Sequence, residues 1–340
     1  MKKLLLGTTA LIAAGAFVGA AQADEMMAEP VTVGVGGYTT GAMGFASDGD
    51  DGKRGQHIDY VFEIGFSGST TLDNGITVGV SGQIGRSGKG NADDFDEIHT
   101  TLSGSFGSLR IGRTESAAFN ATVAAPGAGI GGMLGVNYSW FSTAVPTINT
   151  YSGILGLAGE DSAKVVYTTP NFNGLTIGVS YAPNRGESNL EEWDADDGGD
   201  PAAPTNRSTA GAGEHAAIGA TYSTDFMEGG SFTLGVGYEQ ASGGGDPSAM
   251  RAGVNVSVDQ VSFGGGMFDE DGVGMQYDIG ASWTEGATEL GIQYGHNEDG
   301  DVGSTFAHLT YTLGPNILVG GQIGSSEDVT QFMLGTAVFF

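Results

Sequence analysis

The chain reads as all-β: a single antiparallel β-barrel of about sixteen strands, closed on itself and crossing a membrane. Three observations predict this. Apolar and polar or small side chains alternate over stretches of roughly ten residues, the length a tilted strand needs to cross a hydrocarbon layer. The connections between those stretches alternate between long and short. The chain also stops on such a stretch, Thr330 to Phe340, with an aromatic as its last residue. Strands with one apolar and one polar face suit lipid outside and water inside, and closure leaves no unpaired backbone edge in lipid.

Met1-Lys2-Lys3 is followed by an apolar run from Leu4 to about Val18, then by Ala21-Gln22-Ala23 ahead of the first acids, Asp24 and Glu25. A basic start, a short apolar core and an A-x-A site predict a signal peptide over 1–23, cleaved to leave 24–340 as one domain. No other stretch approaches the ~18 continuous apolar residues of a membrane-spanning helix. Ile58, Tyr60, Phe62, Ile64 and Phe66 alternate with His57, Asp59, Glu63, Gly65 and Ser67, and Met275, Tyr277, Ile279, Ala281 and Trp283 with Gln276, Asp278, Gly280, Ser282 and Thr284. Longer polar connections are expected near 46–56, 87–94, 114–162, 183–213, 242–248, 269–272, 296–303 and 325–329. Short turns are expected at 72–75, 106–108, 170–174, 225–230, 259–260, 285–286 and 314–316, where Asn74-Gly75 supplies positive φ and Pro315 starts a tight reversal. An even strand number with long first and last connections puts both termini on the short-turn side, the periplasm in such barrels. Tyr167, Tyr181, Tyr222, Tyr238, Tyr294 and Tyr311, on the apolar face near strand ends, suit an interfacial girdle.

Composition narrows the function. There are 62 glycines, no cysteine and a formal charge of −28, and loss of the signal would remove two of the twelve basic side chains and none of the forty acids. Glycine at that level without a G-X-Y period does not indicate a fibre, and the ladder of a closed barrel substitutes for disulfides. Such acidity argues against a nucleic-acid partner and favours cations. Parity assigns charges to the lumen, because on the lipid face each would cost a few kcal/mol near the midplane. The inward set is Asp59, Glu63, Glu97, His99, Arg110, Lys164, Glu239, Arg251, Asp278, Glu289 and His308. His99, Arg110 and Lys164 are candidates for a basic wall beside the longest connection, and Asp59 and Glu63 for an acidic one. Each can equally be a merely solvated wall residue.

The run Lys164-Val-Val-Tyr-Thr-Thr-Pro-Asn-Phe-Asn-Gly-Leu-Thr-Ile-Gly-Val-Ser-Tyr181 resembles the paired-strand signature of Gram-negative general porins. So do Gly107-Ser-Leu-Arg-Ile-Gly-Arg113 ahead of a long connection and the terminal Phe340. The whole mature chain is similar to general diffusion porins of the alphaproteobacterial type. That resemblance implies a homotrimer of sixteen-stranded barrels in the bacterial outer membrane, passing small hydrophilic solutes and ions, with a third loop folded into the lumen and Phe340 as an assembly signal. The loop would be 114–162, and a connection that long in a compact fold is usually functional. Family constrictions place acids on this loop opposite a basic wall. Here it carries acids only at its ends, Glu115, Glu160 and Asp161, which puts the usual transverse field in doubt.

Lipid and lipopolysaccharide are expected partners. No cofactor is required, although the acidic runs 48–51, 191–197 and 298–301 can hold Ca²⁺ or Mg²⁺ in outer loops. A GxGxxG match at 127–132 lacks a strand–turn–helix setting, and no GxSxG, HExxH or Walker A pattern occurs. The reading is a passive, cation-preferring channel and not an enzyme. A substrate-selective channel, an outer-membrane hydrolase and a structural or adhesive barrel remain as alternatives.

Overall fold

An apolar strand edge cannot be left unpaired in lipid, and this sheet has none. The computed structural model describes residues 30–46, 55–87, 95–127, 129, 162–183, 213–242, 246–272, 274–298, 301–326 and 329–340. Sixteen strands follow one another: β1 (Thr32–Ala46), β2 (Gln56–Thr71), β3 (Thr77–Ser87), β4 (Phe95–Gly104), β5 (Gly107–Arg113), β6 (Ala163–Thr168), β7 (Leu175–Ala182) and β8 (His215–Met227). The second half is β9 (Gly230–Ala241), β10 (Ser248–Val258), β11 (Val261–Glu270), β12 (Gly274–Glu285), β13 (Thr288–Asn297), β14 (Val302–Gly314), β15 (Ile317–Ser326) and β16 (Val329–Phe339). Each pairs with the next, and β16 pairs antiparallel with β1 to close the barrel.

The predicted alternation decides which way each side chain points. Along β8, Ile218 and Tyr222 are exposed while His215 and Ala217 are buried, and along β10 Met250 and Val254 are exposed while Ala249 and Arg251 are buried. The exposed apolar set is the face that lipid covers, so the opposite, polar set faces the lumen. Tyr181, Tyr222, Tyr238 and Tyr311 lie on the exposed face. No described helix is long and apolar enough to cross a membrane.

Turns fall close to their expected places. Asn74 accepts a hydrogen bond from the Ile76 N–H (3.1 Å) and Gly75 takes φ +80°. One boundary differs: β8 runs on through Asp225 to Met227 across an irregular register, so the turn before β9 is tighter than 225–230 implied. The residues expected to initiate that turn are held instead by pairing with β9. The ring closes on β1, where Phe340 meets Gly37, with Phe340 N–H to Gly37 O at 3.0 Å and Gly37 N–H to Phe340 O at 2.8 Å. Thr32 to Gly36 pair with β2 alone, so β1 overshoots the chain end.

Candidate functional site

After β5 the chain does not reverse into the next strand. Residues 114–127 run along the polar face of the wall, on the side opposite the exposed apolar residues, and so occupy the lumen. Thr114 is fully buried; its Oγ1 accepts from Arg110 Nη1 (2.7 Å) and donates to Glu115 Oε2 (3.2 Å). Arg110 also reaches Glu115 Oε2 at 3.4 Å. A short helix, α1 (Ala117–Asn120), follows, capped by Ser116 Oγ, which accepts from Phe119 N–H at 3.1 Å. Its small side chains suit the space: Ala117 and Ala118 are buried against the wall.

Wall side chains then hold the segment at successive strands. Lys164 on β6 donates to the carbonyls of Thr114 and Ser162 (2.8 Å to Ser162), tying the start of the long connection to its end. Ser180 Oγ on β7 accepts from Ala117 N–H at 3.0 Å. On β10, Arg251 Nη1 donates to Thr122 Oγ1 (3.0 Å) and Asn255 Nδ2 to Ala124 O (2.9 Å). On β12, Asp278 Oδ1 accepts from Ala125 N–H (3.1 Å) and Gly266 N–H (2.7 Å), while Oδ2 accepts from Gln293 Nε2 (2.9 Å).

Beneath the segment lies an ion cluster. Arg251 pairs with Glu239, whose other oxygen is 3.0 Å from His215 Nε2, and the guanidinium sits 5.0 Å from the centre of the Phe268 ring. His215, Glu239 and Arg251 are 0%, 1% and 3% exposed. Charges so deep stay ionised only when paired, and removing one partner leaves the other uncompensated. Among the described residues this cluster sets no nucleophile beside a base, and with the segment above it forms a partition across part of the lumen.

The structure places the predicted residues as follows. Glu63 on β2 accepts from Tyr38 Oη at 3.1 Å. Asp59 lies opposite Ala42 in the backbone ladder, and its side chain is outside the described residues. Glu97 and His99 on β4, with Arg110 on β5, share the inward parity, since Ile98 and Ile111 are exposed on the other face. Glu115 joins them from the segment. Burial pushes its carboxyl up, but a side-chain hydrogen bond with Glu97, its own backbone N–H, the Arg110 charge and the Thr114 hydroxyl together hold it below the ordinary glutamate range. These four side chains therefore form one group at the root of the connection. Glu289 pairs with His308 at 3.0 Å. Lys164, Glu239, Arg251 and Asp278 share the inward parity yet are buried as anchors, so they do not form an open wall. Between β11 and β12 Asp271 accepts from the Ser248 hydroxyl (2.6 Å) and N–H (3.0 Å), which lowers its pKa. The acidic runs 48–51 and 191–197 and most of 114–162 lie outside the described residues.

Sequence reasoning missed Ser180, Asn255 and Thr122. Nothing local distinguishes an inward serine that holds a backbone from one that faces water.

A closed antiparallel barrel with an apolar belt, a polar lumen and an internal partition defines an outer-membrane channel protein rather than an enzyme. The chain belongs to the Gram-negative porin family, whose profile matches residues 7–331. Solved structures similar to it include mutant forms of the Rhodopseudomonas blastica porin. One is 15% identical with a TM-score of 0.63, and a triple mutant is 16% identical with a TM-score of 0.62. Each covers 91% of this chain and 100% of the matched chain. A third, titled for the asymmetric conductivity of engineered proteins, is 13% identical with a TM-score of 0.61. At such identity these establish the fold alone. No curated protein sequence is a significant match to the chain.

Proposed function

We propose that this chain is a passive, water-filled pore for small hydrophilic solutes and ions, with a preference for cations. It works as a homotrimer among outer-membrane lipid and lipopolysaccharide, with both termini periplasmic and residues 1–23 removed on export. The observation that supports cation preference is the disposition of the wall bases. Lys164 is buried on two carbonyls and Arg251 on Glu239, whereas Arg110 shares the root of the long connection with Glu97 and Glu115, and Glu63 adds a further acid on β2. On that count this part of the lumen wall carries three acids against one base. The excess of acids over bases in the whole chain concentrates cations at both mouths.

Reversal potentials across a KCl gradient in planar bilayers test this. The expected result is a potential of the cation-selective sign that shrinks at high salt, because screening shortens from about 10 Å at 0.1 M to about 3 Å at 1 M. Glu63→Gln with Glu97→Gln lowers it without closing the pore. An anion-selective wild type would sink the proposal.

A further inference from the structure

Residues 114–127 and 129 lie against successive strands from β6 round to β14, and glycine recurs in the wall beneath them. A methyl group added at Gly219, Gly235, Gly253, Gly266 or Gly280 would overlap a backbone carbonyl of the segment, at Ala117, Ala121, Val123, Val123 and Pro126 respectively. None of the five has a positive φ, so the strand backbone itself does not call for glycine. Close approach does: with no Cβ on the wall, the segment's carbonyls lie directly on the sheet. The glycines are also neighbours across strands. Gly235 faces Gly253 and Gly253 faces Gly266, while Gly178 faces Gly219 and Gly219 faces Gly237. Two side chains that hold the segment stand beside this track, Arg251 on the strand of Gly253 and Asp278 on the strand of Gly280. Arg251 is braced by Glu239 and Phe268, and Asp278 has both oxygens engaged by N–H donors.

We infer that Arg251 and Asp278, with the glycine track beside them, are positioning residues that seat segment 114–127 and thereby set the bore of the channel, without themselves belonging to the field that permeant ions feel. The inference rests on the channel reading above. It separates two properties that inward parity alone would merge. Glu63 and Glu97 act on ion selectivity, whereas Asp278 acts on conductance through the place of the segment. Asp278 is buried, and its charge is spent on three donors from Ala125, Gly266 and Gln293.

The test uses the full-length protein refolded in bilayers and reads single-channel conductance and reversal potential side by side. Asp278→Ala withdraws the acceptor that Oδ1 offers to the Ala125 and Gly266 N–H groups, and Gly253→Ala places a methyl group against the Val123 carbonyl. Both shift conductance to larger, noisier values with the reversal potential little changed. Asp278→Asn keeps an acceptor oxygen while removing the charge and restores wild-type conductance. Thr122→Val removes the Arg251 contact from the segment side without touching any strand. It moves conductance in the same direction by less, and it decides the matter should a wall variant fail to fold. Wild-type conductance in Asp278→Ala, Gly253→Ala and Thr122→Val overturns the inference. So does Asp278→Asn shifting the reversal potential as Glu63→Gln does, because the carboxylate would then face the ions. A wild type that passes no current would instead remove the channel reading itself.

Discussion

Removal of Phe340 tests how the ring is closed. The residue contributes two hydrogen bonds to Gly37, at 3.0 and 2.8 Å, and a ring stacked on Phe62 with centroids 6.2 Å apart. Net worth is about 1 kcal/mol for each hydrogen bond and about 1 kcal/mol for an aromatic pair. Deletion should therefore cost about 3 kcal/mol, whereas Phe340→Ala keeps the backbone and should cost about 1 kcal/mol. No residue can slip in to compensate from the β1 side, because a side chain at Gly37 would run into the Glu63 carbonyl of β2. The assay is urea unfolding of barrels refolded in lipid vesicles, followed by the gel shift between folded and boiled protein. The amount of folded protein in outer-membrane fractions is measured alongside. Expected is a threefold ratio between the two losses in vitro, with both variants depleted in cells if the assembly machinery reads the aromatic. Equal losses in vitro would refute the reasoning, since they would assign the whole effect to the ring and none to backbone closure.

Two further outcomes follow from the root of the long connection. Lys164→Met keeps the length of the side chain but withdraws a charged donor from the Thr114 and Ser162 carbonyls, both buried; it should lower stability by about 2 kcal/mol, read as a fall in the urea midpoint. Glu115 has a folded pKa below its unfolded value, so its contribution is complete above the ordinary glutamate range and disappears as pH falls through the lower folded value. Stability measured from pH 7 downward should begin to fall in the ordinary glutamate range and level off only below the lower folded value, and Glu115→Gln should flatten that part of the profile; an unchanged profile in the variant would count against the assignment.

Parity made the fold readable. A barrel strand sees lipid on one side and water on the other, so two solvents write a period of two into every crossing, and turn chemistry such as Asn74-Gly75 marks where each crossing ends. Boundaries shifted only where pairing outweighed local preference, as when β9 drew Asp225 into β8. The same period says that Arg251, Lys164, Glu239 and Asp278 point inward, but it cannot say what lies on top of them. Burial of an inward charge depends on a segment more than a hundred residues away along the chain, as the contact from Asp278 to Ala125 illustrates. No local pattern encodes that.

A second signal does carry the information, and it is steric rather than electrostatic. Glycine in a strand weakens it, so inward glycines that face one another on consecutive strands, with no turn nearby, need some other cause. In this chain Gly235, Gly253 and Gly266 form such a row, and what covers them is backbone. A solvated wall would tolerate serine or threonine there, and elsewhere in the same sheet it has them, as at Ser81, Thr101, Ser257 and Ser262. Read that way, the distribution of glycine over inward positions marks where the lumen is occupied, and the distribution of charge then divides into groups that anchor the occupant and groups that remain to meet the ions.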